Sequence, residues 1–204
     1  MDGEDNAPKR KLAIGVMGSA GGDMSPHQIE VARELGREIA RHDCVLITGA
    51  CPGLPYESHK GAKEIGGLSV GISPALAIDE HINRFRSPVD GFDVMIYTGS
   101  GLMGREITGI RSCDIVVIVG GRSGTLGEFA IAYDEGKLIG VLAGSGGVAD
   151  AVDEIVAIVH KDTGAYIIYE SDPNKLIDSL IDYYQTEHYK KPSVFSDVIP
   201  AGYG

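Results

Sequence analysis

A glycine-rich turn, Gly120-Gly121-Arg122-Ser123-Gly124-Thr125, directly follows the clearest strand-like run of the chain, Ile115-Val116-Val117-Ile118-Val119. A helical pattern begins within that turn, near Ser123. Backbone N–H groups at such a helix start, together with the helix dipole, form an anion site, and the Ser123 and Thr125 hydroxyls add donors. Glu128 lies one helical turn further on, where a carboxylate faces the ligand if Thr125 does, or else complements the dipole. Arg105 and Arg111 stand on the preceding helix; either could neutralise a phosphate, and Arg105 could pair with Glu128. Taken alone, the glycine pair reads as an ordinary βα turn. Three further glycine loops, at 18–22, 49–53 and 99–104, also follow strand-like runs. They supply Gly18 and Ser19, Gly49 and Gly53, and Gly104. In a parallel sheet all four loops share one edge, which favours a phosphorylated small-molecule ligand there.

Other chemistries find less support. The first strand runs into Gly15-Val16-Met17-Gly18-Ser19-Ala20-Gly21, which is not GxGxxG, and no acidic residue closes the second strand as a ribose partner. Walker A and GxSxG motifs are absent. The six histidines are scattered without an i, i+4 pair or a cysteine partner, so no metal is expected. The net charge of −11 disfavours nucleic acid and anionic membranes, but not a small anion held by backbone donors. An odd set of three cysteines without CxxC spacing reads as free thiols, and the polar start of the chain carries no secretory h-region. A cytoplasmic protein, without nucleic-acid or membrane partners, is expected.

Positioning these residues requires alternating strands and helices. Strands are predicted at 12–17, 44–48, 68–72, 94–97, 115–119, 138–142 and 166–169. Helices are predicted at about 26–42, 57–65, 102–112, 125–135, 148–160 and 173–184. Residues 74–91 show no period and read as an irregular excursion. Strands apolar on both faces, each followed by a helix, imply an α/β fold: a single-domain, Rossmann-like, doubly wound parallel sheet of about seven strands. The domain is expected over 12–188, with flexible tails at 1–11 and 189–204.

The stretch Leu102-Met103-Gly104-Arg105 through Arg111 and Asp114, followed by Gly120-Gly121-Arg122-Ser123-Gly124-Thr125-Leu126-Gly127-Glu128, resembles the Lonely Guy (LOG) family, once labelled lysine decarboxylases. The likeness extends over about 12–185. It takes in Gly18-Ser19, the loop from Gly49 to residue 54, and the segment 136–142. It implies a phosphoribohydrolase that cleaves a nucleoside 5′-monophosphate, cytokinin-type or AMP-like, to free base and ribose 5-phosphate without a cofactor. Arg105 and Glu128 would be catalytic. The phosphate would sit on Gly121, Ser123, Gly124 and Thr125, with Gly120 also a phosphate-binding residue. A homodimer or higher even oligomer is implied, and the helices at 102–112 and 125–135 would meet through Ile107, Ile110, Phe129 and Ile131. The same superfamily contains non-catalytic molybdenum-cofactor carriers and nucleotide-sensing proteins, the alternative reading. Four positions depart from the family pattern: Gly120 for proline, Arg122 for glycine, Glu106 for lysine and Gly127 for the first of two glutamates.

Overall fold

A computed structural model describes residues 10–190. Seven strands form one all-parallel sheet: β1 (Ala13–Gly18), β2 (Val45–Thr48), β3 (Leu68–Ser73), β4 (Val94–Tyr97), β5 (Ile115–Val119), β6 (Leu138–Leu142) and β7 (Tyr166–Glu170), in the order β4-β3-β2-β1-β5-β6-β7. The helices are α1 (Pro26–Arg41), α2 (Leu54–Glu64), α3 (Ile78–Asn83), α4 (Gly101–Arg111), α5 (Ser123–Asp134), α6 (Val152–Val159) and α7 (Pro173–Thr186). The order reverses between β1 and β5, so the loops leaving these two strands diverge and open a crevice beyond their carboxyl ends.

β5 shows why the central strands read as unbroken apolar runs. Ile115, Val117 and Val119 enter one core layer with Leu35 and Ile39 of α1 and Leu180 of α7. Val116 and Ile118 enter the opposite layer with Ile110 of α4, Phe129 of α5 and Val152 of α6. Each such side chain contributes about 1.5–3 kcal/mol by leaving water. α1 starts where Ser25 and Gln28 form a reciprocal capping box ahead of Pro26. It crosses α2 at close range, because a Cβ on Gly36 would stand 1.8 Å from the Ser58 carbonyl oxygen.

Several expectations need correction. The excursion at 74–91 contains α3, six residues and too short to display a helical period. Buried His81 anchors it, with Nδ1 2.8 Å from Ser73 Oγ and Nε2 3.1 Å from the Pro88 carbonyl. α2 begins three residues before the predicted start and α5 two before, since both open in glycine turns that a periodicity reading excludes. A 3-10 turn, Ala149–Ala151, precedes α6. The outer strands are not covered on both faces: Val94 and Ile96 of edge strand β4 are exposed. Ile110 and Phe129 are buried against the sheet, whereas Ile107 is exposed. Arg10, in the expected N-terminal tail, pairs with Asp114, and His188–Lys190, across the expected domain end, form a 3-10 turn. Residues 1–9 and 191–204 of those tails lie outside the described residues. No helix among the described residues is long and apolar enough to cross a membrane.

Candidate functional site

The crevice at the β1/β5 switch point is a cleft of about 520 Å³. Its lining brings together Gly18, Ser19, Gly49, Arg105, Ser123, Gly124, Thr125 and Glu128 of the residues singled out above. Ala20, Gly21, Cys51, Leu102, Met103, Glu106 and Arg122 also line it. Gly53, Gly104, Gly120 and Gly121 do not contribute to its walls. Their roles are local. Gly53 lets the β2 loop approach the β1 loop, where Leu54 N–H donates to the Ser19 carbonyl at 2.9 Å. A Cβ on Gly104 would stand 2.8 Å from the Ser100 Cβ at the start of α4.

The glycine-rich turn has a built internal architecture. Gly120 and Gly121 hold φ of +58° and +114°. Proline, fixed near −65°, cannot stand at Gly120 in this conformation, which gives a physical reason for the first departure from the family pattern. Gly120 N–H donates to Ser145 Oγ at 2.8 Å, and Gly121 N–H donates to Ser19 Oγ at 2.9 Å. These two donors are therefore engaged within the protein, against the expectation that Gly120 and Gly121 point at a ligand. The donors left are those of the first turn of α5. Its N-cap residue is Arg122, and no side chain caps it. A helix start leaves its first N–H groups unbonded, so those of Ser123, Gly124 and Thr125 are free for an anion.

Arg122 itself reaches across the cleft mouth, its Nη1 3.4 Å from the Gly21 carbonyl oxygen. It joins the β1 loop to the glycine-rich turn and places a cation beside the uncapped start of α5. The sequence showed it only as an extra side chain where the family has glycine. In the loop at 144–147, two backbone donors are engaged within the protein. Asp150 already accepts from Gly144 N–H at 2.7 Å and Gly146 N–H at 3.0 Å. Arg111 is also removed from the site, pairing on the surface with Glu135 at 2.7 Å.

Deeper in the cleft three ionisable side chains converge. Arg105, Glu106 and Glu128 are all more than nine-tenths buried. Gly49 makes room for the Arg105 guanidinium: a Cβ there would lie 1.4 Å from Nη1. Arg105 Nε and Nη1 and Glu106 Oε2 have no hydrogen-bond partner. Arg105 therefore acts on Glu128 through its field rather than through a hydrogen bond. Burial pushes the Glu128 carboxyl up to about 7, the Arg105 charge opposes that rise, and Glu106 adds to it. Burial likewise raises Glu106, again against Arg105. Unpaired buried charges are costly and mark places where a ligand supplies the missing partners.

Arg105→Met removes the buried cation that opposes the rise of Glu128 and Glu106, so the pKa of Glu128, read by NMR titration, should rise above 7. Thermal melts at pH 8 should fall, because two buried carboxylates then lack the opposing charge. A lowered pKa would contradict the geometry.

Away from the cleft, Glu38, His42 and Asp178 form a group whose ligand atoms lie within 4.8 Å of one another. The Glu38 carboxylate also takes Arg41, so the cluster reads as a surface ion-pair network.

Comparisons with known proteins place the fold. A protein of Archaeoglobus fulgidus is 36% identical over 132 residues, 64% of this chain and 80% of the relative. The molybdenum cofactor binding protein of Rippkaea orientalis is 30% identical with a TM-score of 0.68, covering 85% of this chain and 99% of that one. The molybdenum cofactor carrier protein of Chlamydomonas reinhardtii is 29% identical with a TM-score of 0.69, covering 87% and 100%. The model of the SLOG cluster4 family matches residues 11–177, nearly the whole described sheet and its crevice. With its parallel seven-stranded sheet and its glycine-rich turn at the β1/β5 switch point, the chain belongs to the SLOG cluster4 family, within the LOG-type Rossmann-like superfamily.

Proposed function

We propose that the chain hydrolyses the N-glycosidic bond of a nucleoside 5′-monophosphate, releasing the base and ribose 5-phosphate. The observation that carries this reading is a buried carboxylate, Glu128, and a buried guanidinium, Arg105, with two nitrogens free of hydrogen-bond partners, in the same cleft as an uncapped helix start. The 5′-phosphate sits on the N–H groups of Ser123, Gly124 and Thr125 with Arg122 beside it. This places the ribose over Glu128. Breaking the bond from C1′ to the base nitrogen develops positive charge on the sugar, which an ionised carboxylate stabilises. Water adds at C1′ as the electron pair leaves with the base, which takes up a proton. Arg105 holds Glu128 in its ionised form or binds the leaving base.

Binding tests the first half of this reading. Calorimetric titration should show AMP and ribose 5-phosphate binding, and adenosine, which lacks the phosphate, binding on the order of 10²-fold more weakly or not at all. Gly124→Val should lose both ligands while staying folded, since a branched side chain there obstructs the helix start. Equal affinity for adenosine and AMP would show the turn to be structural.

A second reading rests on a specific observation. Two solved structures of 29–30% identity that span nearly their whole length here are named for molybdenum-cofactor binding or carriage. Together with the departures at Glu106 and Gly127, this supports a carrier or sensor that binds without turnover. A bound pterin would show near-ultraviolet absorbance and fluorescence in the purified protein.

We further propose a homodimer through α4 and α5. Leu102, Met103, Ile107 and Leu126 expose apolar side chains on these two helices beside the cleft. Sedimentation should give a dimer at micromolar concentration, and Met103→Asp should shift it to monomer. A wild-type monomer would remove this assignment.

A further inference from the structure

In many dinucleotide-binding folds an acid at the end of β2 takes the ribose hydroxyls. Here β2 ends in Thr48, Gly49 follows it, and the room beyond is filled by Arg105. An acid is present on the opposite wall. Glu106 projects from α4 toward α5, where a Cβ on Gly124 would lie 3.6 Å from Oε1 and one on Gly127 3.1 Å from Oε2. The two glycines leave the carboxylate a slot beside the second residue of α5 rather than at the helix tip. It is 5% exposed, lines the cleft, and Oε2 has no partner. A buried carboxylate with unused acceptor sites is stable only as a neutral acid or with donors from a ligand.

We propose that Glu106 accepts hydrogen bonds from the 2′- and 3′-hydroxyls of the ligand's ribose, making the cleft selective for ribose over deoxyribose 5-phosphates. The proposal rests on the phosphate-binding reading above. A vicinal diol presents two O–H donors side by side, which match the two oxygens of one carboxylate. In ribose 5-phosphate that diol lies one sugar ring away from the phosphate. A phosphate on the first turn of α5 therefore brings the diol toward the α4 wall, where Glu106 stands. The ring carbon that bears the base then faces Glu128, so the two carboxylates take different edges of one sugar. Lysine, the residue usual in the LOG pattern at position 106, could not accept from either hydroxyl.

The test compares AMP, 2′-deoxy-AMP and 3′-deoxy-AMP by calorimetric titration on the full chain. Wild type should bind AMP on the order of 10- to 100-fold more tightly than either deoxy compound, as expected for losing a hydrogen bond to a charged acceptor. Glu106→Ala should weaken AMP most, weaken each deoxy compound by the one hydrogen bond it still makes, and leave all three binding about equally. The wild-type comparison stands even if the variant misfolds. Equal wild-type affinity for AMP and both deoxy compounds would overturn the ribose assignment while the phosphate reading survives. So would a folded Glu106→Ala variant that still discriminates. If none of the three compounds nor ribose 5-phosphate binds, the phosphate reading falls and takes the ribose assignment with it.

Discussion

Replacing Glu128 with glutamine is expected to lower kcat on the order of 10²-fold or more while changing KM far less. Glutamine keeps the volume and some hydrogen bonding of the side chain but loses the charge that stabilises an oxocarbenium-like sugar. The effect falls on the transition state more than on bound substrate. The wild-type rate should also rise with pH through an apparent pKa near 7, because burial holds the Glu128 carboxyl at about 7 and only its ionised form is effective. In the variant that limb should disappear.

The same substitution should raise stability. A carboxyl shifted from 4.5 to about 7 binds its proton more tightly in the folded chain than in the unfolded one. The fold is therefore favoured below pH 4.5, loses that advantage as the pH climbs to 7, and gains nothing further above it. At pH 8 the penalty for holding the charge is on the order of 3 kcal/mol at most. Glu128→Gln should melt higher than wild type at pH 8 and show little difference at pH 4. An active variant that melts lower at pH 8 would mean that Glu128 is ordinary structure and that the chemistry lies elsewhere.

Gly49→Ala should inactivate the protein without unfolding it. The three atoms nearest the added methyl all belong to Arg105: Nη1 at 1.4 Å, Cζ at 2.6 Å and Nη2 at 3.2 Å. Gly49 has an ordinary backbone conformation, so alanine brings no strain of its own there. The long arginine side chain can swing away cheaply, and the cost falls on function. Loss of kcat/KM should match that of Arg105→Ala, on the order of 10²-fold. Gly36→Ala is the control, since its methyl would meet the Ser58 backbone oxygen at 1.8 Å. Overpacking a rigid helix crossing should cost about 1–3 kcal/mol or more in stability and leave the chemistry of the surviving folded protein intact. If Gly49→Ala turns over substrate as fast as wild type, Arg105 has no role at the reacting atoms.

Much of this arrangement is legible in the residues. The unbroken run Ile115–Val119 announces a strand buried on both faces, and Ser25-Pro26 announces the start of α1, because local chemistry decides both. The convergence of glycine loops on one edge follows from the parallel topology alone. What the residues do not display depends on tertiary partners. Gly121 looks like a ligand donor until the fold brings Ser19 onto its N–H group. Arg122 looks like an intrusion into a glycine turn until its side chain is seen to reach the Gly21 carbonyl across the mouth. Glu106 reads as a charge reversal from the family pattern. Only the facing Gly124 and Gly127 reveal that the change comes with a slot to hold it. α3 is hidden because six residues cannot show a period, and it is fixed by the buried hydrogen bonds of His81.

The most direct test of the proposed activity is product analysis. Purified protein is incubated with a panel of nucleoside 5′-monophosphates, including N6-substituted AMP, and ribose 5-phosphate release is followed. The account predicts equimolar free base and ribose 5-phosphate from at least one member of the panel, with Glu128→Gln and Gly49→Ala both strongly impaired. Tight binding of a phosphorylated ligand with no ribose 5-phosphate from any of them would contradict it, and would leave a carrier or sensor built on the same cleft.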